Sequence, residues 1–174
     1  SLTIPMRSYT TVRFTNSADQ TLLQIPRTFS RLNAVMVTFF KSTGGPTSAS
    51  PTNYLMAPPN TISTTIQCGS LKFPQNRYSG LKEAYWRYLK GMGIIHSSAH
   101  AANVNFHEFS HSSFQAHYDL ERVANANHSG ANTHEGVLTV DIRGLGASPP
   151  ELIYVHLFHD LLAEISDGQV VVAL

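Results

Sequence analysis

The stretch Leu32-Asn33-Ala34-Val35-Met36-Val37-Thr38-Phe39-Phe40 decides the fold class. It is dense in the β-branched and aromatic side chains that pack well on a pleated, half-buried surface. Before it, Tyr9-Thr10-Thr11-Val12-Arg13-Phe14 alternates in the period-2 pattern of a strand with one face buried. After it comes Ser42–Pro51, a Gly-, Pro- and Ser-rich run with almost no apolar content, which reads as a surface loop. Thr61–Cys68 resumes the strand pattern and stops at Gly69. Proline lacks the donor that a ladder needs, so Phe73-Pro74 is expected to block any continuation.

The period then changes. Leu81, Ala84, Tyr85, Tyr88, Leu89 and Met92 draw one apolar stripe at helical spacing, and Lys82, Glu83, Arg87 and Lys90 fill most of the rest. This predicts a single α-helix over about 79–92, capped by Ser79 and closed by Gly91 and Gly93. Strands return at Phe114–Glu121 and Gly136–Arg143. Leu152–Phe158, apolar on both faces, is expected to be buried on both sides, and Gln169–Leu174 closes the chain. The turns between them, Asn125–Thr133 and Gly144–Pro150, are rich in Asn, Gly and Pro. Seven or eight short strands separated by turn signals predict an all-β sandwich or barrel, with the helix as an insertion covering one sheet end.

Composition agrees and excludes several functions. With 174 residues and 42% hydrophobic content the chain fills one ordinary domain, residues 1–174, and has enough apolar mass for a core. Only 13% of residues are charged, and Ser and Thr together make up about a fifth of the chain, a balance that suits a surface covered by neighbours. A net charge of +1 projects no field toward nucleic acid or an acidic membrane. Cys68 has no partner for a disulfide, and no apolar run approaches the ~18 residues of a membrane span. The polar stretch Ser1–Thr11 is no secretory leader, and an opening Ser in place of Met reads as a processed product or an excised module.

One motif points to chemistry. His107-Glu108-Phe109-Ser110-His111 fits the H-E-x-x-H zincin pattern, and His117 falls where the metzincin extension places a third ligand. That chemistry needs a helix, because only helical spacing presents both imidazoles to one tetrahedral zinc with the Glu as general base. Asn103–Ser113 is poor in helix formers, Phe114 replaces the turn glycine, and all four methionines precede the site where a Met-turn would follow. The segment is therefore read as a polar turn leading into a strand. His156 and His159 are expected to be hydrogen-bonded interior or interface residues, and His128 and His134 loop residues. Asn127-His128-Ser129 is a bare glycosylation sequon, and Cys68 a small buried apolar residue. No residue is assigned a catalytic, cofactor-binding or metal-ligating role.

The chain resembles jelly-roll viral capsid proteins, and in detail the second jelly roll of the double-jelly-roll major capsid proteins of eukaryotic DNA viruses and polinton-like elements. The resemblance lies in Arg31–Lys41, Thr65–Pro74, the helix with Glu83-Ala84-Tyr85, Tyr118–Val123, the turn Ser129–Thr133, and Val137–Arg143 ending at Gly144. It implies a jelly-roll sandwich of about eight strands and a non-enzymatic structural protein of the virion. Such a protein would be assembled inside the host cell and partnered by identical subunits, as a trimer or larger, with other capsid proteins as further partners. A double jelly roll needs two such domains, so the chain is either half of one or a single-jelly-roll shell protein. The alternatives are a lectin-like jelly-roll binding module and a zinc metallopeptidase of the H-E-x-x-H type.

Overall fold

A computed structural model describes residues 2–40, 60–95, 103–121, 130–166 and 169–173. Nine strands and two helices follow in the order β1 (Leu2–Thr15), β2 (Thr21–Ile25), β3 (Leu32–Phe40), β4 (Ser63–Cys68), β5 (Leu71–Ser79), α1 (Leu81–Gly91), α2 (Phe106–His111), β6 (Gln115–Asp119), β7 (Leu138–Arg143), β8 (Leu152–Ser166) and β9 (Gln169–Ala173). The expected Ser42–Pro51 loop, Lys41, Arg122 to Val123, the sequon at 127–129 and Leu174 lie outside the described residues.

All ladders are antiparallel, and their pairing is nested: β1 with β8, β2 with β7, β3 with β6, β4 with β5. That is the pairing of one long hairpin bent at β4–β5. Rolling such a ribbon distributes its strands into two sheets, here β1-β8-β3-β6 and β2-β7-β4-β5, with β9 added beside β8. This is the order of an eight-stranded jelly roll. Val35, Val37 and Phe39 of β3 face Ile66 of β4, Val140 and Ile142 of β7, and Leu23 and Ile25 of β2 across one continuous core.

Each face follows from alternation. On β8, Ile153, Val155 and Leu157 are fully buried between the sheets. The opposite face departs from expectation: Tyr154, His156 and Phe158 are only half-buried, because that face forms the outside of the sandwich. Their rings lie on aromatic neighbours instead of a second layer, Tyr154 edge-on to Phe40 at 5.0 Å and Phe158 near Tyr9 at 6.2 Å.

Two strands escaped the sequence pattern, β2 and β5. The strand assignment of β5 continues past Phe73-Pro74, but its ladder to β4 breaks there as expected: Phe73 pairs with Ile66 and pairing resumes only at Tyr78 with Thr64, so Pro74–Arg77 bulge out opposite Thr65. Proline is tolerated because β5 is an edge strand and the bulge asks no ladder donor of it. Thr65 Oγ1 donates to the Phe73 and Pro74 carbonyls at 3.3 Å each. The long helix is where the apolar stripe placed it, but Ser79 does not cap it: Ser79 ends β5, and Gly80 at φ 85° makes the strand-to-helix corner. Leu81, Ala84 and Tyr88 are its buried positions, and the helix packs on β6 at the sheet edge.

Candidate functional surfaces

The zinc-like segment was expected to be a turn, and the structure corrects this: Phe106–His111 is a short helix, α2. Poor intrinsic propensity is overridden by a complete capping box. The Asn105 side chain accepts from the Glu108 N–H at 2.9 Å, and the Glu108 carboxylate accepts from the Asn105 N–H at 3.2 Å. Phe109 anchors the helix. It is fully buried, with ring centroids 5.2 to 5.4 Å from Tyr85, Tyr88 and Phe114.

The helical geometry does bring His107 and His111 together, at 4.1 Å between ring centroids on the exposed side. The His111 Nδ1 proton goes to the His107 carbonyl at 2.8 Å, which leaves Nε2 outward. Glu108, however, is turned back onto its own helix start and does not face a metal position. His117 sits in β6, 96% out of solvent, beneath the C-terminal end of α1. No group of three metal-ligating side chains exists among the described residues.

Among the described histidines, His117 is the one shifted furthest from its ordinary value. It points to the outer side of β6, where Gly91 of α1 lies directly on the ring, and a methyl built on Gly91 would overlap it. Its Nδ1 has no hydrogen-bond partner, and burial pushes its pKa down to about 4, against the opposing pull of Asp119. Beside it is a groove of about 250 Å³ on the outside of the first sheet, lined by Arg7, Asn33, Ala34, Met92, His117 and Phe158 among others. Its charges are paired, Arg7 with Glu121 at 2.9 Å and Lys90 with Asp119 at 3.4 Å. Asn33 Oδ1 is also without a partner, and it faces the Cα of Gly130, as His117 Nδ1 faces that of Gly91. Both orphan atoms are thus covered by glycine backbone and do not reach into the groove.

Three further histidines lie among the described residues, His134, His156 and His159. His156 bridges two strands across β8, to Thr11 Oγ1 at 2.9 Å and Thr38 Oγ1 at 3.2 Å. His159 is buried against the Phe29 ring at 4.7 Å and bonds Thr10 Oγ1 at 3.3 Å. Burial lowers the pKa of each. His134 is an exposed loop residue bonded to Ser30. Cys68 is buried, and burial followed by the charge of Glu135 raises its thiol pKa, which is the reverse of nucleophile activation.

Neither a protein-family model nor a curated protein matches the chain. Solved structures do. The cryo-EM structure of the Sputnik virophage aligns over 99% of this chain at a TM-score of 0.57 and 8% identity. The PBCV-1 virus capsid model aligns over 99% at 0.58 and 10%, and a PBCV-1 crystal structure fitted into a Sputnik reconstruction over 99% at 0.57 and 9%. The chain spans 38%, 52% and 51% of those chains, respectively. Nested strand pairing and near-complete alignment converge: the chain has the jelly-roll fold found in viral capsid structures.

Proposed function

We propose that the chain is a capsid subunit, or one jelly-roll half of a longer one, that meets copies of itself and related subunits in a closed shell. The observation that carries this reading is alignment of the whole described sandwich, inserted helix included, onto the virophage and PBCV-1 structures. Fold alone does not choose a function, but the surface supports the same choice. The charge content is low, and the groove beside His117 has its charges already paired. The exposed side chains include Leu22, Trp86, Met92 and Val137 as well as the apolar ends of β1 and β9, more than an isolated soluble domain usefully displays. In this reading residues 1–174 form one jelly-roll unit without catalysis, located in the virion and assembled inside the host cell.

The peptidase alternative is disfavoured by the capping role of Glu108 and the burial of His117 away from the His107–His111 pair. A lectin-like module would need a polar, open sugar site, and in the groove beside His117 the charged side chains are already engaged in ion pairs with one another. Sedimentation across a wide concentration range tests the proposal. Trimers or larger oligomers that persist in moderate salt are expected, since few charges are present to be screened. A single monomeric species throughout would overturn it.

A further inference from the structure

On β1 the even-numbered residues face the core: Val12 and Phe14 pack against it opposite Val155 and Ile153 of β8. The same face continues along the strand through Met6, Ile4 and Leu2, whose β8 partners are Leu161, Ala163 and Ile165. On the far side of β8, Val172 and Val170 of β9 lie in register with Ala163 and Ile165. Eight apolar residues from three strands therefore share one face, and none of the eight carries a charge. The opposing sheet is built of shorter strands, five residues in β2, six in β4 and β7 and nine in β5, against 14 in β1 and 15 in β8. The described residues leave most of the overhang uncovered, with Leu2 59% exposed, Met6 50%, Val170 63% and Val172 54%, although Ala163 at its centre is buried. The charged residues of this ribbon, Arg7, Asp160 and Glu164, are on the other face, in register with one another or with Thr3.

We infer that this overhang is a self-association surface, covered by the overhang of a second copy packed face to face about a two-fold axis. The inference rests on the reading of the chain as a subunit that meets its own copies. The face is a direct continuation of the inner side of a sandwich, whose ordinary cover is another apolar sheet face, packed about 10 Å away. An uncharged face needs no charge complement, and an identical face supplies the same aliphatic surface, as an isologous interface requires. The exposed parts of its side chains amount to about 400 Å² per copy, the size of a patch that marks an interaction site. Two copies bury about 800 Å² in total, below the ~1,000 Å² that a stable interface needs, so the pair is weak, reversible and concentration-dependent.

The test uses the wild-type chain and Ile4→Lys, Val172→Lys and Leu22→Lys, all at exposed positions, with retention of fold checked by circular dichroism. Sedimentation equilibrium is expected to resolve a reversible wild-type dimerisation step below the concentrations at which trimers or larger oligomers form, weakened at least tenfold in Ile4→Lys and Val172→Lys and unchanged in Leu22→Lys, on the other sheet. Under mild oxidation Ile4→Cys should cross-link copy to copy and Thr3→Cys, on the opposite face, should not. A wild-type chain that stays monomeric at millimolar concentration, or lysine variants that dimerise like wild type, would overturn the inference. Closed particles formed equally well by Ile4→Lys and wild type would overturn it too, while leaving the capsid reading intact. Dimers lost in Ile4→Lys, with no particles from wild type, would support it and remove the capsid reading.

Discussion

Acidification from pH 7 to 4 should destabilise this sandwich mainly through His117. In the unfolded chain the imidazole takes its proton near pH 6.5; folded, burial under Gly91 delays protonation until about pH 4. Between those values the unfolded state binds more protons than the folded one, so stability falls as pH falls through the window. It is fully present above pH 6.5. At 1.36 kcal/mol per pH unit, the full loss from this one residue is about 3 kcal/mol, equivalent to roughly 10 °C in Tm for a chain of this size. His156 and His159 shift in the same direction through burial and add to the loss. Asp141 enters later: burial raises its pKa, but hydrogen bonds from Arg77 and Arg143 outweigh that and hold it below the ordinary carboxylate value, so it protonates at more acid pH. Urea unfolding of wild type and His117→Gln at pH 7 and pH 4 measures the effect. The variant should lose about 3 kcal/mol less than wild type over that interval. Equal losses in the two proteins would refute the argument, because they would show that His117 is solvated or partnered in the native state.

Gly91→Ala should destabilise the protein by about 1–3 kcal/mol through overlap with the His117 ring, although alanine is the better helix former by about 1 kcal/mol. The loss should shrink in a His117→Ala background, which a double-mutant cycle measures. Glu108→Gln preserves the capping box and should leave thermal stability unchanged, whereas Glu108→Ala should cost about 1 kcal/mol. Metal analysis of the purified protein should find no stoichiometric zinc in wild type or His107→Ala, and about one zinc per chain, lost in that variant, would revive the peptidase reading. Tyr85→Ala removes a half-buried ring packed on Phe106, Phe109 and Tyr88 and a hydroxyl bonded to the Val104 carbonyl at 3.0 Å. It should cost about 2–3 kcal/mol in chemical denaturation, and a change below ~0.5 kcal/mol would show that the ring is not packed.

What could be read from the residues was set by periodicity. β3, β6 and β7 announce themselves because β-branched, aromatic or alternating apolar side chains mark the face that meets the core, and α1 because its stripe is long enough to fix a helical period. β2 hides because five residues, Thr21–Ile25, offer only Leu23 and Ile25 as an alternating pair beside the exposed Leu22. β5 hides because Pro74 argues against a strand unless its edge position is known, and edge position is a property of the finished sheet. The α2 helix departs from the expected turn because intrinsic propensity leaves out both the local Asn105–Glu108 capping box and the packing of Phe109 on Tyr85 and Tyr88, which are distant in sequence. Leu2, Ile4 and Met6 did alternate, but interspersed Ser, Thr and Arg made Ser1–Thr11 look merely polar. Only the β1–β8–β9 register turns that alternation into a continuous apolar face. The absence of assigned site residues followed from the lack of any placed nucleophile; among the described residues, His156 and His159 are held by hydrogen bonds to threonines and His117 by packing under Gly91.

The central claim is that this jelly roll is a shell subunit, and negative-stain electron microscopy of the purified protein, concentrated at neutral pH, tests it most directly. The account predicts ring-shaped capsomers or closed particles of uniform diameter, built from repeated copies of the chain. A field of dispersed monomers at every concentration, from protein whose circular dichroism shows it folded, would contradict it.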